Sequence, residues 1–243
     1  HPVSSFYGYE IVGFWDSQEE IDAANIDAQK ATNNPDAVFQ TDAGIGRFRY
    51  NDFGKGIVTP ASRTFLGNPV PKFTYGLNIG VSYKQFDLSA FFYGISGNKI
   101  WNQVRWWTDF YPSFGGGLSK TAMYDSWTPD HQNAKAPILE NSGNFSNTSV
   151  PNSYFVEDGS YFRLKNMQIG YTLPASLLEK AGISRVRIYV QGANLFTITK
   201  YTGIDPEVGV SQEGGDRRSV ELGIDEGAYP SQKQFLFGLN VTF

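Results

Sequence analysis

The chain has 243 residues, a net charge of −4 at pH 7 and no cysteine, which excludes disulfides and thiolate metal sites. Only 18% of its residues are charged while 16% are aromatic and 26 residues are glycine, a composition that favours short strands and turns, and the lack of a basic cluster argues against a nucleic-acid partner. No run of 18 apolar residues occurs, so the sequence excludes a transmembrane helix and leaves transmembrane strands possible.

The first sixty residues predict two short strands and one helix. Residues 7–15 and 47–52 have weak strand patterns. Residues 17–30 predict a surface helix, because Ser17 and Glu20 stand at the spacing of a capping box. The chain begins at His1 without an initiator methionine or a signal sequence, so we expect a fragment whose export signal lies upstream.

Two neighbouring segments predict a β-hairpin. Residues 74–83 alternate strictly, and one face carries only apolar side chains: Tyr75, Leu77, Ile79, Val81 and Tyr83. After a turn at Lys84-Gln85, residues 86–96 continue an apolar face with Phe86, Leu88, Ala90 and Phe92, whereas their other face is mixed.

Three further strands are predicted in the second half of the chain. In residues 161–173 the apolar positions change phase, which predicts a β-bulge near Lys165-Asn166. Residues 174–182 predict one or two helical turns before the strand at 186–195. Residues 234–243 alternate up to the last residue, and an aromatic Phe243 in phase with the strand suggests an anchored end.

The connections between these strands are very unequal in length. The connections at 84–85 and 174–182 are short, whereas those at 51–72, 97–160 and 197–233 are long. Short turns on one rim and long loops on the other are typical of an outer-membrane barrel. In that arrangement Arg163, Lys165 and Arg187 face the lumen or flank the bulge, and four aromatic residues form a girdle near the inner rim: Tyr83, Phe86, Tyr171 and Phe243.

Long stretches of the chain resemble one protein family. Residues 160–209, beginning SYFRLKNMQIGYTLP, and residues 217–243, ending QFLFGLNVTF, are similar to the C-terminal part of the SusC/RagA family of TonB-dependent transporters of Bacteroidetes. Residues 67–102, GNPVPKFTYGLNIGVSY and onward, and residues 8–23 are similar to the same family. The resemblance therefore spans most of the chain.

The resemblance implies an all-β fold, in which residues 1–243 are the C-terminal strands of a 22-stranded antiparallel transmembrane barrel with long extracellular loops. It implies outer-membrane, multi-pass localisation and TonB-dependent import of oligosaccharides or peptides without enzyme activity. The implied partners are the N-terminal barrel and plug of the same transporter, a SusD-like lipoprotein, TonB acting through the missing N-terminal part, and lipid. Phe243 then resembles the signal for barrel insertion.

No cofactor or metal is predicted. Relatives often have an acidic, calcium-type loop before GNPVP, but here Thr59 and Ser62 stand where acidic residues are usual, and only Asp52 remains. Four acidic residues in Gly-rich and Pro-rich turns are predicted to shape or solvate those turns rather than to bind a cation: Asp205, Glu207, Asp225 and Glu226.

An aromatic cluster is the strongest candidate for a binding site. Its rings are Trp101, Trp106, Trp107, Phe110 and Tyr111, with Arg105 and Asp109 between them. The rings could stack on a sugar or peptide that Arg105 or Asp109 orients. Alternatively, they belong to an outer aromatic belt or pack beneath the lipoprotein, and we favour this second hypothesis because Trp and Tyr are enriched at such boundaries.

A different function class remains as an alternative. A soluble carbohydrate-binding β-sandwich could use Trp101, Trp106 and Trp107 to hold a sugar. A sandwich buries its apolar face against a second sheet, whereas a barrel exposes it to lipid. An enzyme is poorly supported, since His131 is predicted to be a solvated loop residue and no catalytic constellation is present. Trp127 is predicted to pin its loop.

Overall fold

A computed structural model describes residues 4–111, 117–179, 182–208 and 222–243. The chain divides into two compact units. The sheet unit is formed by Val70–Asn98, Asp158–Glu207 and Ala228–Phe243. The mixed unit is formed by His1–Pro69, Lys99–Glu157 and Val208–Gly227.

Strands outnumber helices in the described residues. The strands are β1 (Phe6–Gly8), β2 (Ile11–Phe14), β3 (Phe48–Tyr50), β4 (Thr64–Gly67), β5 (Phe73–Tyr83), β6 (Phe86–Ser96), β7 (Lys99–Asn102), β8 (Val156–Asp158), β9 (Tyr161–Thr172), β10 (Arg185–Ala193), β11 (Thr197–Thr199), β12 (Ile224–Asp225) and β13 (Gln234–Thr242). The helices are α1 (Gln18–Thr32), α2 (Gln103–Thr108) and α3 (Lys120–Tyr124), with short 3-10 helices at Pro60–Ser62, Ser153–Phe155 and Ala175–Leu177.

The sheet unit is one antiparallel sheet. Its strand order is β13-β10-β9-β6-β5, and β11 pairs with the beginning of β9. Two neighbouring pairs, β5 with β6 and β9 with β10, are joined by the short connections that the sequence predicted, and the hairpin of β5 and β6 pairs Tyr83 with Phe86 across the two-residue turn. Lys84 turns the chain with a φ of 52°. The predicted hairpin and the last two strands are therefore confirmed.

The predicted bulge is present in β9. Phe91 pairs with Asn166 while the next residue, Phe92, pairs with Leu164, so that Lys165 is the extra residue. The bulge returns the apolar residues of β9 to one face, because Phe162 then stacks on Phe92 with ring centroids 5.3 Å apart. Without it, the beginning of β9 would present its apolar side chains to the opposite face.

One face of this sheet is apolar and bare. The register aligns rows of apolar side chains across the strands, and one such row is Val81, Leu88, Ile169, Val190 and Phe237. Leu77, Ile79, Leu239 and Val241 are 51%, 41%, 61% and 39% exposed. A β-sandwich would bury these side chains against a second sheet, so their exposure does not favour the soluble alternative.

The described residues of the mixed unit form three small sheets. These sheets pair β1 with β4, β2 with β3, and β7 with both β12 and β8. The weak pattern at 7–15 is a broken strand, β1 and β2, and residues 47–52 contain β3. Helix α1 begins after Ser17, whose hydroxyl accepts a hydrogen bond from the Glu20 amide at 3.3 Å, which is one half of the predicted capping box. The Glu20 carboxylate accepts from the Asp16 amide at 3.2 Å instead of from Ser17. In the part of the chain that the structure describes, no helix is long and apolar enough to cross a membrane.

The long connections predicted from the sequence carry much of this unit. Residues 97–160 contain β7, α2, α3 and β8, and residues 51–72 contain β4. Aromatic side chains of residues 97–160 build a core with β3, in which Phe48, Tyr50 and Phe155 are each 1% exposed, and Val58 of residues 51–72 packs against it. The described part of residues 97–160 is thus folded around buried rings rather than extended as a plain loop. Residues 209–221 of the third long connection, and residues 180–181 of the predicted helical turn, lie outside the described residues.

Candidate functional site

The face of the sheet opposite the apolar one, here called the polar face, carries polar and charged side chains from β6, β9 and β10 together with the rings of Phe91 and Tyr93. It forms an open depression bordered by amides and a hydroxyl, contributed by Asn78, Ser89, Asn166, Gln168 and Gln191. Ser89 pairs with Gln168, which pairs with Gln191, so these side chains form one row across β6, β9 and β10. Such a face suits contact with water and with hydrogen-bonding molecules.

A charged network crosses the same face. Arg187 on β10 donates from its Nε to the Asp87 carboxylate on β6 at 2.9 Å and from Nη2 to Gln168 Oε1 at 3.0 Å. The guanidinium reaches across β9 above Gly170, where a Cβ would lie 2.4 Å from Arg187 Nη2. A side chain at position 170 would therefore displace the network. Its members are placed by strand register, which the alternation predicted, but their pairing was not predicted.

A second network lies at the beginning of β9. Arg163 is 3% exposed and donates to Thr197 Oγ1 at 2.7 Å, to Glu207 Oε2 at 2.6 Å and to Asp205. Partial burial acts to raise the pKa of Asp205, but hydrogen bonds from Arg163 and from the Glu207 and Ser231 amides outweigh it and hold the pKa below its ordinary value. Asp205 and Glu207 are thus ion-pair partners, a role that the sequence did not reveal.

The aromatic cluster packs mostly inward. Phe110 is 5% exposed and contacts Tyr154 and Phe155, while Trp101 packs against Phe155 with centroids 5.2 Å apart. Trp106 borders the same core and donates from Nε1 to the Thr148 carbonyl at 3.1 Å. Trp107 is half-buried and Tyr111 is 46% exposed. Tyr111 is thus the most exposed ring among the predicted contact residues.

Arg105 and Asp109 are held by an internal network. Arg105 donates from Nε to Asp109 at 3.1 Å and from Nη1 to the Tyr154 carbonyl at 2.8 Å, and its guanidinium lies 3.7 Å from the centre of the Tyr154 ring. The Tyr154 hydroxyl donates to Asp109 at 2.7 Å. Burial raises the pKa of Tyr154 above its ordinary value, so the phenol stays protonated and donates. Tyr154 was not singled out from the sequence.

Trp127 and His131 also lie in the mixed unit. Trp127 is 2% exposed, and its Nε1 donates to Asp16 at 2.8 Å, which ties two distant segments together. His131 Nε2 lies 2.8 Å from Asp125, which also accepts from Lys135 at 2.8 Å. Hydrogen bonds from Lys135 and His131 lower the pKa of Asp125 to about 2.

The predicted girdle residues meet at the rim with the short turns. Phe86 pairs with both Tyr83 and Tyr171, and the rings of Phe86 and Tyr171 are 4.8 Å apart. Phe243 follows the last paired residue, Thr242, and is 85% exposed. Whether these residues serve as a membrane girdle and an insertion signal stays a prediction.

The chain is similar in sequence to TonB-dependent receptors and in structure to a peptide importer. No family model matches the chain. TonB-dependent receptor P3 of Formosa agariphila is 36% identical over 99% of the chain, and TonB-dependent receptor SusC of Bacteroides thetaiotaomicron is 27% identical over 78% of it. The RagAB peptide importer in its open-open state superposes over 98% of the chain with a TM-score of 0.67 and 26% identity.

The chain is SusC/RagA-like over nearly its whole length. The resemblance predicted from the sequence is therefore confirmed, and so is the fold class, since antiparallel strands match a RagA barrel. This SusC/RagA-like segment spans 22% of the length of receptor P3 and 22% of the matched RagAB chain. The number of 22 strands in a complete barrel stays a prediction.

Proposed function

We propose that this SusC/RagA-like segment forms part of the wall and outer loops of a TonB-dependent transporter that imports nutrients across the outer membrane. One observation carries the proposal: a single sheet presents a bare apolar face on one side and a polar, hydrogen-bonding face on the other. The apolar face would contact lipid, and the polar face would line an aqueous lumen. Similarity to TonB-dependent receptors supports the same function.

In this proposal, residues 1–243 belong to one barrel, which crosses the membrane many times. The open edges of β5 and β13 pair with strands from the rest of the transporter, because unpaired strand edges are too costly in lipid. The plug and TonB act through the N-terminal part, and a SusD-like lipoprotein covers the outside. The cargo is an oligosaccharide or a peptide, and similarity to a peptide importer supports the second. The segment performs no catalysis.

We infer that the outward contacts of the aromatic cluster fall mainly on Tyr111 and Trp107. Trp101, Trp106 and Phe110 pack against the core of the mixed unit, while Arg105 and Asp109 bond to Tyr154. Most of the cluster therefore supports the unit that carries the contact surface, rather than touching the cargo or the lipoprotein itself. The soluble sugar-binding alternative is not favoured, because its rings would need to line an open platform.

An uptake assay tests the function. Cells that make the full-length transporter as their only importer of this type receive labelled peptides or labelled oligosaccharides, with TonB present or deleted. We expect one class to accumulate only when TonB is present. Equal accumulation with and without TonB, or no uptake of either class by a correctly assembled barrel, would contradict the proposal.

We expect the substitution Phe243→Ala to lower the amount of full-length transporter in the outer membrane severalfold, because the insertion signal would lose its aromatic end. Immunoblots of outer-membrane fractions measure the effect. Phe73→Ala removes another exposed aromatic residue, at the start of β5, and serves as the control. Unchanged levels of the Phe243 variant would refute the role of this residue.

A further inference from the structure

The chain leaves and re-enters the sheet unit near the beginning of β9. After β11, residues 201–207 run along the sheet unit, and the chain returns to that unit at Ala228 and enters β13 at Gln234. The two ends of this excursion are far apart in sequence, since Asp205 and Ser231 are 26 residues apart. Strand pairing alone does not hold the ends together, because neither residue belongs to a strand.

A single buried guanidinium contacts both ends. Arg163 Nη2 donates to Asp205 and Nη1 donates to Glu207 at the outgoing end, while Nη1 also donates to Ser231 Oγ at 3.0 Å at the returning end. Asp205 completes the link by accepting from the Ser231 amide at 2.8 Å and from the Glu207 amide at 2.9 Å. The two ends therefore meet on Arg163 and Asp205.

The bulge in β9 makes this arrangement possible. Because Lys165 is the extra residue, Asn166 and Arg163 lie on the same face of the sheet although they are three residues apart. The bulged Lys165 also reaches Glu207, with its Nζ 2.7 and 2.6 Å from the two carboxylate oxygens. A regular strand would send either Asn166 or Arg163 to the apolar face.

Burial makes the loss of either partner costly. The Arg163 side chain is 3% exposed and that of Asp205 is 11% exposed, so both charges depend on each other rather than on water. The planar fork of arginine can bond three groups at once, which a lysine ammonium does with less geometric definition. The Arg163 Nε is held by Thr197 Oγ1 at 2.7 Å, which fixes the direction of the fork.

We propose that Arg163 holds together the two ends of the connection between β11 and β13, and that these ends form a neck at the polar face of the sheet. The neck is the set Arg163, Asp205, Glu207 and Ser231. It holds the two described ends of a long connection, residues 205–207 and Ser231, together on β9. The proposal does not depend on the identity of the cargo or on transport.

Hydrogen–deuterium exchange of the full-length transporter in detergent tests whether Arg163 holds the neck together. In Arg163→Met, we expect amide exchange in residues 203–208 and in residues 228–233 to increase together by about tenfold or more, because Asp205, the shared acceptor of the Glu207 and Ser231 amides, loses the guanidinium that holds it in place. Exchange in residues 167–171 of β9 should not change. Arg163→Lys should restore part of the protection, since it keeps the charge but not the fork.

Arg187→Met is the matched control, because it removes a cation from the same face whose carboxylate partner, Asp87, lies within the sheet. It should leave exchange in 203–208 and 228–233 unchanged. Should Arg163→Met fail to fold, Asp205→Asn tests the same neck with an isosteric change and should also raise exchange at both ends. An increase at only one end, or at neither end, in a folded Arg163 or Asp205 variant would overturn the proposal.

Discussion

Val190→Arg should prevent stable assembly of the full-length transporter in the outer membrane. Val190 lies in the middle row of the apolar face, between Ile169 on β9 and Phe237 on β13, and is 40% exposed. An arginine that faces lipid near the middle of the membrane costs about 2–4 kcal/mol. This cost destabilises the folded barrel and lowers its amount. The intensity of the heat-modifiable band on gels of outer-membrane fractions measures that amount.

Gln191→Arg is the matched control for this change. Gln191 is the next residue of β10 and lies on the polar face, between Gln168 and Leu236. The same arginine at this position should be tolerated, because it faces water or polar groups. Equal loss of folded barrel in both variants would argue against a lipid-facing side, and equal tolerance of both would do the same.

Asp109→Ala should strongly destabilise the mixed unit. Asp109 is 3% exposed and accepts from both Arg105 and the Tyr154 hydroxyl, so the substitution leaves a largely buried guanidinium and phenol without this partner. Removing one partner of a buried ion pair costs roughly 3 kcal/mol or more. The measurement is the urea midpoint of tryptophan fluorescence in detergent, where a barrel remains folded while buried tryptophans such as Trp15 and Trp127 report on this unit.

Asp27→Ala provides the comparison. Asp27 pairs with Lys30 on the surface of α1, where both side chains are more than 70% exposed, and such pairs contribute little to stability. Its urea midpoint should stay at the value of the unsubstituted protein. If Asp109→Ala shifts the midpoint no further than Asp27→Ala does, the Arg105–Asp109–Tyr154 network does not support the unit.

The strands of the sheet unit could be predicted because their evidence is local. Period-two alternation in β5 and β13 and the change of phase in β9 are properties of consecutive residues, so the hairpin and even the extra residue Lys165 were visible in the sequence. The bare face followed from the same alternation. The resemblance of residues 160–209 to SusC/RagA proteins implies an outer-membrane location, and lipid contact accounts for the exposed apolar face.

The mixed unit could not be predicted in the same way because its contacts join distant residues. Trp127 bonds to Asp16 across 111 positions, and Gln40 bonds to Ser146 across 106. No local pattern reports such a pairing, so the sequence predicts residues 97–160 only as a long loop. It predicts the Trp101–Tyr111 cluster as a cargo contact or, preferentially, as part of an aromatic belt or a surface beneath the lipoprotein. The structure instead uses Phe110 and Tyr154 as core, with Arg105 stacked on the Tyr154 ring.

Charged partners were also missed. The sequence placed Arg163 and Arg187 on the polar side, but the choice of partner depends on strand register and on space. Arg187 reaches Asp87 only because position 170 is glycine, and Arg163 meets Asp205 only because the bulge turns it toward the connection. Asp205 and Glu207, which the sequence predicts to shape or solvate a turn, are therefore one half of an ion-pair network.

Site-directed quenching tests the central claim most directly. This chain contains no cysteine, so single cysteines at Leu239 and Asn240, neighbours on opposite faces of β13, can be labelled with a fluorophore in an otherwise cysteine-free transporter in lipid vesicles. We predict that brominated lipid quenches the label at position 239 strongly and the label at position 240 weakly, with the reverse order for aqueous iodide. Equal quenching at the two positions, or protection of both from lipid, would contradict the account.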